Sequence, residues 1–151
     1  MYLECISDSS KKYYAKPVMV LNISGDSTQN FSDEEILKKF SEDDETEAIV
    51  IVGSDPMDKV DALRSFMFSA RKFFSPDSRP RIIIYTKYFE DELNTKYWNG
   101  VKCELLYYGN TFLKYGRSFK TDKKKYFNNF LGIKLLGSSQ SVICYTKLQH
   151  E

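Results

Sequence analysis

Residues 48–56 read Ala-Ile-Val-Ile-Val-Gly-Ser-Asp-Pro (AIVIVGSDP), and together with the apolar pattern downstream of Pro56 they decide the fold. Five apolar, mostly β-branched residues without polar alternation suit a strand covered on both faces, the mark of a parallel sheet. Gly53 to Pro56 closes that strand. Beyond it Val60, Leu63, Phe66, Met67, Ala70, Phe73 and Phe74 recur at spacings of three and four, which predicts an amphipathic helix stopped by Pro76.

The same alternation continues on either side. Arg81 to Tyr85 (RIIIY) predicts a second covered strand, Phe89 to Trp98 a short helical or irregular stretch, and Lys102 to Tyr107 (KCELLY) a further strand. Upstream, Pro17 to Ser24 (PVMVLNIS) predicts a strand ending at Gly25. Ser32-Asp33-Glu34-Glu35 is a capping box that opens a short helix through Ile36, Leu37 and Phe40. The acidic run Glu42 to Glu47 reads as the solvated exit of that helix. Ser141 to Tyr145 predicts a last strand. Strands alternating with helices imply right-handed βαβ crossovers and an α/β fold with a largely parallel sheet. No repeat or linker interrupts the chain, so residues 1–151 are expected to form a single compact domain, with 110–135 an irregular basic and aromatic segment within it.

Composition excludes several classes. The chain has 151 residues, 42% of them hydrophobic and 28% charged, with a net charge of +1, which suits a folded globule rather than a disordered chain. The longest apolar runs are too short to span a bilayer, and no basic segment leads into an apolar N-terminal stretch, so no membrane partner is expected and the cytoplasm is the expected location. Cys5, Cys103 and Cys144 are widely spaced, with no Cys-x-x-Cys pair, and His150 is the single histidine. Neither a disulfide scaffold nor a self-contained metal site is expected from that set. Cys103 and Cys144 lie in strand-like contexts, which predicts small buried thiols. With His150 beside the terminus, a Ser-His or Cys-His nucleophile has no base to rely on, and no catalytic residue is assigned.

In open α/β sheets ligands bind beyond the carboxyl ends of the strands. Here those ends are Ser24-Gly25, Gly53 to Pro56, Thr86 to Tyr88 and Tyr108 to Asn110. The second offers a carboxylate, Asp55, before a proline. The competing reading is a plain strand-to-helix turn with Asp55 or Asp58 as the helix cap.

These segments carry a resemblance. Val20 to Gly25 (VLNISG), Gly53-Ser54-Asp55-Pro56, Tyr85-Thr86-Lys87-Tyr88, Tyr108-Gly109-Asn110-Thr111-Phe112 and Leu136-Gly137-Ser138-Ser139-Gln140 resemble, in order, motifs of the radical S-adenosylmethionine activases of anaerobic ribonucleotide reductase. That resemblance implies a partial βα barrel. The family carries a Cys-x-x-x-Cys-x-x-Cys loop after its first strand to hold an iron–sulfur cluster; this chain has Asp26-Ser27-Thr28-Gln29 there. Oxygen donors suit such a cluster poorly, so no cofactor is expected and the chain reads as a noncatalytic, radical-enzyme-like protein. The alternative is an enzyme or sensor that keeps S-adenosylmethionine or a nucleotide at Gly53, Ser54, Asp55, Pro56 and Thr86, or an activating protein of the reductase. Lys87, where the family has glycine, would fill the vacated cluster space or pair with Asp55, the competing reading being a solvated lysine.

The noncatalytic reading calls for a macromolecular partner, expected to be a protein, as for a regulator, inhibitor or scaffold of phage or mobile-element type. Lys114, Arg117, Lys120, Lys123, Lys124, Lys125 and Tyr126 form the expected contact surface, extended to Phe130 and joined by exposed Tyr13 and Tyr14. Cations interleaved with Tyr115 and Phe119 over 114–125 would also suit nucleic acid, the competing partner, or a solvated loop.

Overall fold

The computed structural model describes residues 1–23, 31–93, 98–117, 126–128, 131–135 and 140–146. In chain order its elements are β1 (Tyr2–Asp8), β2 (Val18–Asn22), α1 (Asp33–Ser41), β3 (Ala48–Val52), α2 (Val60–Phe73), β4 (Arg81–Tyr85), α3 (Glu90–Leu93), α4 (Trp98–Tyr108), β5 (Asn110–Tyr115), β6 (Tyr126–Asn128), β7 (Ile133–Leu135) and β8 (Ser141–Thr146). Six strands form one sheet in the order β1-β2-β3-β4-β5-β8, while β6 and β7 pair separately. The four central strands, β2 to β5, run parallel in chain order. The edges β1 and β8 are antiparallel to their neighbours. The fold is thus mixed α/β around a mostly parallel sheet.

Side-chain alternation sorts the strands onto two faces. Met19, Leu21, Ile49, Ile51, Ile82, Ile84 and Leu113 pack with the buried residues of α1, α2 and α4. Val18, Val20, Ala48, Val50, Ile83 and Phe112 face the other way, against Tyr14 and Ile133. Backbone bonds from Lys134 N–H to the Tyr13 carbonyl (2.9 Å) and from Ala15 N–H to the Gly132 carbonyl (2.8 Å) seat that cover. Gly132 has φ +76°, and a Cβ there would meet the Ala15 methyl at 3.2 Å, so the close approach needs glycine.

The capping box at Ser32 forms as expected, with its hydroxyl accepting from Glu35 N–H and the Glu35 carboxylate accepting from Ser32 N–H, both at 3.2 Å. Backbone and side-chain bonds to Ser32 also hold the Glu35 carboxyl below its usual pKa. Ser32→Ala is expected to lower stability by about 1 kcal/mol, the usual cost of a lost N-cap, read as a shift of the urea midpoint at unchanged slope.

Four expectations need correction. Lys102 to Tyr107 is not a strand but part of α4, because Val101, Leu105 and Tyr108 are buried at spacings of four and three, the period of a helix. The strand lies further on, so the segment from 110 opens with the regular β5 instead of an irregular stretch. Cys103 and Cys144 are exposed, the first between the buried positions of α4 and the second opposite buried Tyr145 on the edge strand β8. Tyr14 is buried and Tyr13 half-buried, so neither is an exposed anchor. The Tyr14 hydroxyl accepts from Arg81 Nη1 at 2.7 Å, and the Tyr13 ring meets Tyr85 edge-on at 5.4 Å. In addition, Phe73, a member of the expected apolar stripe, is 42% exposed.

Candidate functional site

The parallel strands β3, β4 and β5 deliver three loops to one end of the sheet. After β3 the chain turns at Gly53, with φ +142°, then runs through exposed Ser54 to Asp55, which is extended and 4% exposed. Asp55 caps a 3-10 turn over Pro56–Asp58, its Oδ1 accepting from Met57 N–H at 2.9 Å. The capping reading of Asp55 therefore holds locally. The carboxylate does more than that, because Oδ1 also accepts from the Thr86 hydroxyl at 2.8 Å and Oδ2 from Lys87 N–H at 2.9 Å.

Those bonds fix the loop after β4 to the loop after β3. Thr86, 2% exposed, also donates its N–H to the Lys114 carbonyl at 2.9 Å, joining the end of β5. The Tyr88 hydroxyl donates to Asp58 at 2.6 Å. Lys87 meets Asp55 through its backbone amide, and its side chain is exposed rather than paired with the carboxylate or filling a pocket.

Lys114 departs most from expectation. It is 5% exposed, not a surface cation, because on β5 it alternates in step with Phe112 and so faces the side of the sheet away from the helices. Its strand neighbours are Tyr85 on β4 and Val142 on β8. The ammonium lies 5.0 Å from the Tyr85 ring centroid, and among the described residues it has no hydrogen-bond or ion-pair partner. Burial pushes its pKa down to about 8, with the Asp55 charge opposing the fall. Burial likewise pushes the Tyr85 phenol well above its usual value, while its hydroxyl donates to the Tyr13 carbonyl at 2.6 Å.

Of the remaining members of the expected contact surface, the structure describes Arg117 and Tyr126. Arg117 pairs with Glu92 at 2.9 Å, donates to the Lys87 carbonyl at 3.2 Å and lies 4.5 Å from the Phe89 ring centroid. It clamps the loop before α3 to the end of β5. Tyr126 opens β6 in register with Leu135. Lys120, Lys123, Lys124, Lys125 and Phe130 lie outside the described residues, as do 24–30 and 136–139. No family model, curated protein or solved structure matches this chain.

The donor set does not fit an iron–sulfur cluster. Cys5 stands on β1 and Cys144 on β8, at opposite edges of the six-stranded sheet, and Cys103 is on α4. Five strand spacings put the edges roughly 24 Å apart along the sheet, far beyond the reach of one cluster. Among the described residues no group of three or more His, Cys, Asp or Glu could hold a metal ion, and no helix is long and apolar enough to cross a membrane. What the strand ends do offer is a buried carboxylate that accepts three bonds from the protein's own donors and whose charge acts on the Lys114 amine.

A second feature lies on the outer surface of the helices. The Arg71 guanidinium stands 5.2 Å from both the Phe68 ring on α2 and the Tyr107 ring on α4, and Lys72 stands 4.5 Å from Phe68. Phe68, Phe73, Leu106 and Tyr107 are 41–57% exposed. The sequence does hold a signal for it: Phe68 falls outside the apolar stripe of α2, and helical numbering from Val101 sends Leu106 and Tyr107 outward.

Proposed function

We propose that the chain is a radical-S-adenosylmethionine-like partial βα barrel without cluster chemistry, which works by binding a protein partner. Two facts support the barrel part of this reading. Strands β2 to β5 are wound in chain order with α1, α2 and α4 against one face, as in βα barrels and unlike the doubly wound sheet. The Gly53 to Pro56 and Thr86 motifs fall at the carboxyl ends. Two further facts oppose catalysis by the family's route. Thiolates are missing where the cluster loop should be, and Asp55 already accepts three bonds from within the chain, so an amino group of S-adenosylmethionine would have to displace one.

The observation that carries the binding role is the Phe68–Arg71–Tyr107 stack across α2 and α4. Exposed large apolar side chains grouped with Arg are the composition of interface anchors, and a lone exposed residue would mean nothing. Arg71 already has the Glu104 carboxylate at 4.0 Å as its ion-pair partner, so Lys72 is the cation that calls for a partner with an acidic rim around an apolar centre. Within the 114–126 segment Lys114 is buried and Arg117 is already paired with Glu92.

The test is a titration of the protein that the chain captures from its host, using purified components. Phe68→Ala with Tyr107→Ala is expected to weaken binding about tenfold or more, the loss of one or two anchors, and added salt is expected to weaken the wild-type complex. Unchanged affinity in the double variant, with the folded state intact by circular dichroism, would overturn the assignment of this surface.

A further inference from the structure

We propose that the α2–α4 face takes a second copy of this chain, related by a two-fold axis, with Lys72 of each copy against the acidic exit of α1 in the other. This rests on the reading of that face as a docking surface and names an occupant for it.

Among the described residues five large apolar side chains are exposed, Ile6, Phe68, Phe73, Leu106 and Tyr107, and four of the five stand on α2 and α4. Grouping of that kind marks an interface, where scattered exposure would not. Helices α1, α2 and α4 lead into β3, β4 and β5, so their carboxyl ends lie together at the amino end of the parallel strands. Helix α2 is the middle one. Its Ser65 hydroxyl donates to Asp33 on α1 at 3.1 Å, and its Arg71 pairs with Glu104 on α4 at 4.0 Å.

The order of groups across that end selects the occupant. On the α4 flank of α2 stand Phe68 and Arg71, beside the Tyr107 ring. On the α1 flank Phe73 meets the Phe74 ring at 5.0 Å, and Phe74 meets Phe40 of α1 at 5.8 Å. Lys72 lies between them in sequence, exposed, with the Phe68 ring 4.5 Å away. Just past Phe40 the chain leaves α1 through exposed Glu42, Asp44 and Glu45, and no ion pair joins these three among the described residues. Their neighbours are committed: Glu47 pairs with Lys16 at 3.7 Å, and Asp43 accepts from the Glu45 and Thr46 amides.

A cation and an acidic run therefore flank Phe73 on opposite sides. A half-turn about an axis at Phe73 brings each Lys72 to the other copy's acidic run and sets the two Phe73 rings together. Self-complementarity of this sort is what a two-fold contact requires, because one patch must both offer and accept every group. An unrelated partner needs the cation and the apolar centre but has no use for the acid beside them.

The full chain is followed by sedimentation equilibrium between about 2 and 200 µM, the range of a weak, reversible pair. A monomer–dimer equilibrium is expected, shifted toward monomer by added salt. Each substitution occurs twice across a two-fold contact. Phe68→Ala with Tyr107→Ala should therefore weaken the dimer about 100-fold, against about tenfold for a partner that meets the face once. Lys72→Glu sets acid against acid, and Asp44→Lys with Glu45→Lys sets cation against cation, so each variant alone should stay monomeric. Mixed in equal amounts, the two variants regain both contacts and should form a mixed dimer. Wild-type chain that stays monomeric at the highest concentration would overturn the second copy as occupant, with no variant needed. A dimer indifferent to Phe68→Ala with Tyr107→Ala, or charge variants that are folded by circular dichroism yet fail to pair, would overturn it as well. The docking role of the face fails separately, if the host complex too is indifferent to Phe68→Ala with Tyr107→Ala.

Discussion

Asp55→Ala is expected to lower the unfolding free energy by about 3–5 kcal/mol, the cost of removing one partner from a buried, charge-bearing network. The change orphans three donors together: Met57 N–H, Lys87 N–H and the Thr86 hydroxyl. It also removes the one charge that favours the buried Lys114 ammonium. Asp55→Asn is the finer probe. Its carbonyl can still accept from Met57 and Thr86, but its NH2 must then face Lys87 N–H, donor against donor, so an intermediate loss is expected. Thr86→Val removes one bond of the three and is expected to cost about 1–2 kcal/mol. Urea unfolding at constant slope ranks the three variants. A loss below about 1 kcal/mol for Asp55→Ala would mean that the carboxylate does not tie the loops and that the strand ends are free to host a ligand.

The central fold is legible in the sequence because its physics is local. AIVIV and RIIIY leave no polar face to turn toward water, so only a strand covered on both sides accommodates them. Ser32 with Glu35 names a helix start by hydrogen bonding that needs no tertiary partner. Lys102 to Tyr107 misleads for the opposite reason. Six residues are too few to separate a buried strand from one side of a helix, and the deciding positions, Val101 and Tyr108, lie just outside that window. Reading them as helix moves the carboxyl end of the next strand from Tyr108–Asn110 to Tyr115–Arg117, and with it the meaning of Lys114. Counted in a loop, Lys114 is a solvated cation; counted on a strand in step with Phe112, it is buried. Strand β1 escapes a sequence reading because its alternation is imperfect, and its pairing with β2 is broken by register shifts around Cys5. At the site, the Asp55 cap can be read from Asp-Pro, whereas its bonds to Thr86 and Lys87 span 31 and 32 residues and depend on β3 and β4 lying side by side.

Alkaline pH should first stabilise and then destabilise the protein. An unfolded lysine keeps its proton until about pH 10.4, but folded Lys114 gives it up near 8. Between those values the unfolded chain binds one proton more than the folded chain, so stability rises with pH across that window. That separation corresponds to about 3 kcal/mol, which is the cost that the charged amine imposes below pH 8. Tyrosines act with the opposite sign. Burial raises Tyr85 and Tyr108 well above the usual value and Tyr145 to about 12. Above about pH 10 the unfolded phenols ionise first, the unfolded chain binds fewer protons, and stability falls. The two trends place a maximum between about pH 9 and 10, measurable by urea unfolding at fixed ionic strength. Lys114→Met keeps the length of the side chain and removes the charge. It is expected to raise stability at pH 7 by about 1–3 kcal/mol, as apolar replacements of buried ions often do, and to flatten the rise between about pH 8 and 10 while leaving the fall above 10 in place. A variant that kept the full alkaline rise would show that some other group supplies it, and that the Lys114 amine sits in water.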